Sequence, residues 1–158
     1  MTYDFLGHIG DAKVKMQPHP EFPVSDNSGY GVITETGPEE GRDKRFALLT
    51  FPPAEVEFPV TLPERPVMRF AIGRKFRPCL NRGAFEVWIT EEGGQREQIY
   101  REETSAANEL RSLDWMDLEI DLAKFAGRQV AITFRADAAD AKACNWYLWA
   151  DPQIVSRP

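Results

Sequence analysis

Over residues 116–122 the apolar side chains fall at every second position, Met116, Leu118, Ile120 and Leu122, with Asp117, Glu119 and Asp121 between them. A period of two belongs to a strand with one face on a core and the other in water. The same period returns in Val130, Ile132, Phe134 and Ala136, set among Gln129, Ala131, Thr133 and Arg135, so both segments can close over one core. Between them Asp121 can cap a single helical turn over 122–126, Gly127 stands where a left-handed residue would end it, and Phe125 covers the end of the core. Slipping either strand by one residue would turn its whole apolar set to water. The pattern therefore predicts Leu118, Ile120, Val130, Ile132 and Phe134 buried, and Asp117, Glu119 and Asp121 exposed. A third strand is predicted over 146–150, where Asp151-Pro152 ends regular pairing.

Upstream, Val56, Phe58, Val60 and Leu62 alternate with Glu55, Glu57, Pro59 and Thr61, and Pro59 places that strand at a sheet edge or beside a bulge. Met68, Phe70 and Ile72 alternate with Val67, Arg69 and Ala71; Phe85, Val87 and Ile89 face inward in the next strand, with Glu86, Trp88 and Thr90 on its other face. Shorter strands are predicted over 31–35, over 45–51 before Pro52-Pro53, and over 97–101. Residues 102–112 have the one helical composition in the chain and read as a short helix or a long loop. Residues 1–30, with Pro18, Pro20 and Pro23 and no sustained period, read as an irregular segment laid over the rest. The sum is an all-β chain of one domain, 1–158, whose antiparallel β-sandwich spans 31–156 with at most one or two short helices.

WMDLEIDLAKFAGRQVAITFRAD followed by NWYLWADPQIV resembles the last strands of the galactose-binding-like jelly rolls, a β-sandwich group that includes many carbohydrate-binding modules and accessory domains of secreted bacterial enzymes. Asp121, Leu122, Ala126, Gly127, Gln129, Val130, Phe134, Trp149 and Pro152 carry the match. RFALLTFPPAEVEFPVTLPERPVMRFAIG is similar to the preceding strands of that group, so the resemblance covers residues 44–156 and leaves the first 43 unmatched. It implies a jelly roll and a non-catalytic carbohydrate-binding or accessory module. Fold alone hosts many functions, so the alternative is a structural sandwich that contacts a neighbouring protein domain and binds no sugar.

Charge narrows the partners. The 158 residues carry a formal net charge of -6 and a pI near 5.0, which argues against nucleic acid and anionic membrane, since both need clustered Lys and Arg. No apolar run is long enough to insert in a membrane, and the first residues lack the basic start and apolar core of a signal peptide. An extracytoplasmic place would follow only if the chain were excised from an exported parent.

Catalytic chemistry is poorly represented. The sequence has no G-x-S-x-G, P-loop or dinucleotide fingerprint. Its two histidines, His8 and His19, lie in the N-terminal segment without metal-ligand spacing. Asp117, Glu119 and Asp121 read as a solvated strand face, because glycoside hydrolysis needs two carboxyls across a cleft. No cofactor is expected. Structural calcium is common in the resembled folds, and DAAD, Asp137 to Asp140, is the one candidate for it.

Sugar binding needs a flat aromatic surface with polar groups for the hydroxyls. The one basic cluster, Arg74, Lys75, Arg77 and Arg82, lies in the loop 73–83. In the resembled group the site is commonly formed by loops at one end of the sandwich, which here implies loops 73–83 and 137–145, offering Arg74, Arg77, Asn81, Arg82, Asn145, Trp146 and Tyr147. An open sheet face, with Trp88 among Arg69, Glu86 and Thr133, is the other expected site. For Trp149 a packing role is expected. Cys79 and Cys144, one in each loop, could form a disulfide if those loops meet.

Overall fold

The computed structural model describes residues 3–16, 33–36, 43–75, 83–104, 115–138 and 146–158. Two antiparallel sheets form a sandwich. The strands are β1 (Tyr3–Asp4), β2 (Lys13–Met16), β3 (Ile33–Thr36), β4 (Arg45–Thr50), β5 (Ala54–Thr61), β6 (Pro66–Lys75), β7 (Gly83–Glu91), β8 (Arg96–Thr104), β9 (Met116–Asp121), β10 (Gln129–Ala138) and β11 (Trp146–Ser156). Sheet A runs β3-β4-β11-β6-β9, with β1 also paired to β11; sheet B runs β2-β5-β10-β7-β8. From β4 onward every link except the β7–β8 hairpin crosses between sheets, as a sandwich with two apolar inner faces requires.

Alternation sets the inner faces as the sequence predicts. Val56, Phe58, Val60, Ile132 and Phe134 are buried, and Val130 is 6% exposed. Leu118 and Ile120 point to the core but are only partly buried, because among the described residues β9 is the outermost strand of sheet A, with β6 as its one neighbour. Asp117, Glu119 and Asp121 are exposed. An aromatic stack joins the layers: Phe5 meets Phe58 and Phe134 at 5.0 and 5.1 Å, and Trp149 meets Phe134 and Phe85, each at 5.1 Å. Their edge-to-face geometry is the favoured one for ring quadrupoles.

Pro59 is tolerated for the reason expected of a proline in a strand. β5 lies between β2 and β10, but β2 pairs only with Ala54–Glu57, so among the described residues 58–61 have no partner on that side, where the missing N–H costs nothing. The turn after β9 is likewise close to expectation. Asp121 Oδ1 accepts the Ala123 N–H at 2.8 Å, a 3-10 turn covers Ala123–Phe125, and Phe125 is buried. Gly127 has φ +73° and a Cβ added there would meet nothing within 4 Å. Gly127→Ala should therefore cost only the left-handed backbone penalty, about 1 kcal/mol, read as a lower midpoint of thermal unfolding; an unchanged midpoint would show that this φ imposes no constraint.

Three expectations need correction. The sandwich begins well before residue 31: β1 and β2 extend the two sheets, and Phe5 between them is fully buried. Phe5 stands in no repeating pattern, and the alternation that forms β2, Lys13-Val14-Lys15-Met16, is only four residues long. Strand β11 does not stop at Pro152. Its pairing with β6 breaks between Ala150 and Gln153 and resumes through Ser156, with Asp151 at φ +44°, so the proline sits in a bulge. Strand β8 extends to Thr104, so residues 102–104 of the helical candidate are strand, while 105–112 lie outside the described residues.

Candidate functional site

Register fixes which connections share an end of the sandwich. Trp146 pairs with Lys75 and Tyr147 with Arg74, while Ala138 pairs with Gly83, which also pairs with Thr104. The strand ends flanking 76–82, 105–115 and 139–145 therefore lie together, beside the short link from Thr50 to Ala54. The opposite end has the tight turns 62–65, 92–95 and 122–128. Thus the two segments expected to form a loop site do emerge from neighbouring strand ends.

Arg74 and Trp146 are strand positions at that end. Arg77, Asn81, Arg82 and Asn145 lie outside the described residues, as do Cys79 and Cys144. Tyr147 does not belong to a surface site. It is fully buried, its ring 4.6 Å from Phe85. Trp149 is likewise buried, and its indole N–H donates to Thr50 Oγ1 at 3.1 Å.

The open-face candidate is a charged construction on the outside of sheet B. Residues paired across antiparallel strands share a face, so Lys15, Glu55, Arg135, Glu86 and Arg101 form one rung across all five strands, alternating in sign. Glu86 stands between Arg135 and Arg101 in it and is only 1% exposed. It accepts from Arg135 at 2.9 Å, from Arg101, and from the Trp88 indole N–H at 2.7 Å. Arg96 lies 4.8 Å from the Trp88 ring centroid and reaches Glu55 at 2.7 Å. A guanidinium over an indole is a cation–π contact, so one face of Trp88 already carries a cation. Thr133 stands directly opposite Trp88. Arg69, expected beside it, is on sheet A and pairs with Glu119 at 3.0 Å. Arg96, Arg101 and Arg135 were not singled out from the sequence; the signal would have been the cross-strand register.

Asp117 pairs with Arg45 at 2.6 Å, and Glu119 is held by Arg69 and Arg157, whose hydrogen bonds lower its carboxyl below the usual range. His8 is exposed, stacked on Tyr3 at 4.2 Å, with Nδ1 2.8 Å from the Asp4 carbonyl. Asp137 meets Arg135 at 3.4 Å, and Asp140 lies outside the described residues. Among the described residues no three His, Cys, Asp or Glu side chains converge as metal ligands.

No family model and no curated protein matches the sequence. Solved structures match its fold. A CBM51 from Clostridium perfringens GH95, in complex with methyl-galactose, superposes with TM-score 0.55 at 11% identity over 98% of this chain and 100% of that one. The K3 cleaved adhesin domain of Lys-gingipain from Porphyromonas gingivalis W83 gives 0.58 at 14% identity, over 99% and 98%. The Clostridium perfringens ZmpB structure containing an M60 catalytic domain with CBM51-1 and CBM51-2 gives 0.55 at 12% identity, over 91% of this chain and 14% of that one. The chain thus shares the antiparallel β-sandwich fold of these carbohydrate-binding modules and this adhesin domain.

Proposed function

We propose that this chain is a non-catalytic carbohydrate-binding or accessory module of a larger protein, taking its ligand at the end of the sandwich that carries segments 76–82 and 139–145. The observation that supports it most is the pairing of Trp146 with Lys75 and of Ala138 with Gly83, which sets side by side the strand ends flanking those segments. Between them the segments hold Arg77, Asn81, Arg82 and Asn145, and Arg74 and Trp146 stand at their borders. Guanidinium and amide groups would serve sugar hydroxyls and the indole the apolar face of a pyranose. The likeness to modules of this class supplies the fold on which such a site would stand, and the class of ligand is carried over as part of the proposal.

A glycan array probed with the full chain tests the reading. Arg77→Ala and Trp146→Ala should each weaken the best ligand by about 2 kcal/mol, roughly thirtyfold in Kd, with thermal stability nearly unchanged. A large loss of stability from Trp146→Ala would mean that it is a packing residue. The second reading is a sandwich that contacts a neighbouring protein domain without sugar. It is favoured by Arg96 standing over Trp88 and by Tyr147 in the core, which remove two aromatic rings from the expected sugar surface. Absence of any glycan signal, together with unaltered behaviour of both variants, would support it.

A further inference from the structure

Among the described residues each sheet ends in two outermost strands, β3 and β9 in sheet A, β2 and β8 in sheet B. Two of these edges, β2 and β9, are complementary. The outer face of β2 carries Lys13 and Lys15, both exposed and without an ion pair to any described residue, and its inner face carries Val14 and Met16, partly buried. On β9 the outer face carries Asp117, Glu119 and Asp121 and the inner face Met116, Leu118 and Ile120, again partly buried. The two strands cannot meet within one molecule. Phe70 of β6 meets Tyr100 of β8 at 5.4 Å, and Lys124 just after β9 reaches Glu97 of β8 at 2.9 Å, so β9 lies over β8 while β2 borders the other side of the sandwich.

The backbone shows which groups each edge leaves free. Leu122 N–H donates to the Pro66 carbonyl at 2.9 Å, one step past the pair Val67 and Asp121. Bonded and non-bonded rows alternate in an antiparallel pair, so Met116, Leu118 and Ile120 bond to β6, and the N–H and C=O of Asp117, Glu119 and Asp121 turn to the open edge. Leu62 N–H donates likewise to the Arg128 carbonyl at 2.9 Å, one step past Thr61 and Gln129. The same alternation turns Glu55 and Glu57 toward β2, so their partners Lys13 and Lys15 bond to β5, and Val14 and Met16 present the free groups.

That offset selects one pairing. An antiparallel partner sets bonded residues directly opposite each other, which would put Val14 against an acidic residue and the lysines against Leu118 and Ile120. In a parallel pair each residue bonds to the two that flank its neighbour, so Val14 can stand beside Leu118 while bonding to Asp117 and Glu119. Lys13 then stands beside Asp117, Lys15 beside Glu119, and Met16 beside Ile120. Pairing β2 with β2, or β9 with β9, would set like charges together, which is destabilising.

We propose that β2 of one copy docks in parallel on β9 of a second copy, joining sheet B of the first to sheet A of the second. The N–H groups of Val14 and Met16 donate to the carbonyls of Asp117 and Glu119, and those of Glu119 and Asp121 donate to the carbonyls of Val14 and Met16. An open edge is a ready template for such addition. Because β2 and β9 border opposite sides of the molecule, each added copy leaves one edge of each kind free, and the contact propagates head to tail instead of closing as a two-fold dimer. It is separate from the loop end and stands whether or not that end binds sugar.

Sedimentation velocity of the full chain at rising concentration tests it, together with amide hydrogen exchange read by NMR. Species larger than a dimer should form, and exchange should slow with concentration at Val14, Met16, Glu119 and Asp121, but little at Lys13, Lys15, Leu118 and Ile120, whose N–H groups are already bonded. Lys13→Gln/Lys15→Gln removes the charges, and Val14→Pro removes an N–H that faces away from β5, a position where an edge strand tolerates proline. Each should weaken self-association by about tenfold or more, with the thermal midpoint nearly unchanged. A chain that stays monomeric at every concentration, or assembly that stops at the dimer, would overturn the proposal. So would slowed exchange on β3 or β8 in place of β2 and β9, or undiminished self-association in either variant.

Discussion

Replacing Trp149 with alanine should destabilise the fold by about 3–5 kcal/mol, a large fraction of the 5–15 kcal/mol that holds a typical domain together. Trp149 is fully buried on the central strand of sheet A, with ring centroids of Phe134 and Phe85 at 5.1 Å and of Phe70 at 6.0 Å. It thus joins β11 and β6 of one sheet to β7 and β10 of the other. Its indole N–H also donates to Thr50 Oγ1, whose hydroxyl donates to the Tyr147 carbonyl at 3.0 Å. Trp149→Phe keeps most of the ring contact and loses the N–H donor, so its cost should be about 1–2 kcal/mol. Urea unfolding followed by far-UV circular dichroism measures both. A cost for Trp149→Ala below about 1 kcal/mol would mean that the ring stack is not the joint between the layers.

That joint was only partly legible in the sequence. Strands with one solvated face, such as β5 and β10, announce themselves through their period of two, and the structure follows the pattern except at Thr133, which is buried beside Trp88 on the outer face of β10. Strand β11 does not announce its register. Leu148 and Ala150 are as buried as Tyr147 and Trp149, because its flanks are taken by β4 and β6 and both faces are covered. With no polar alternate positions, nothing in WYLWA separates Tyr147, a core residue, from a residue at the mouth of a loop. Edge position is also silent in a single strand, which is why Leu118 and Ile120 have the right face but incomplete burial. The loop end was legible as chain order, since strand ends follow from register, whereas the bulge at 151–152 shows only in the broken pairing of β11 with β6.

The rung across sheet B was illegible for a different reason. Glu86, Trp88 and Thr90 read as a solvated face, and that is the face they occupy. Yet Glu86 is buried, because its partners arrive from Arg101, 15 residues away, and Arg135, 49 residues away. No local window contains the three together. Pairing β7 with β8 on one side and β10 on the other brings two guanidiniums onto one carboxylate, and the carboxylate then fixes the Trp88 indole.

This arrangement has an asymmetric energetic consequence. The Glu86 side chain is 2% exposed, whereas those of Arg101 and Arg135 are 37% and 33% exposed. Removing both arginines, in Arg101→Ala/Arg135→Ala, strands a buried carboxylate with only the indole N–H, and should cost about 3–5 kcal/mol. Glu86→Leu removes the buried charge itself and leaves the arginines their water and their other partners, Glu103 for Arg101 and Glu55 and Asp137 for Arg135. Its cost should be about 1–2 kcal/mol. The measurement is urea unfolding of both variants beside the parent chain, followed by far-UV circular dichroism. Loss of the Glu86 acceptor should also free the Trp88 ring to move and shift its emission. Equal costs for the two variants, or a greater cost for Glu86→Leu, would show that burial of the carboxylate does not govern this face, and that the rung acts as a set of independent surface ion pairs worth about 0–1 kcal/mol each.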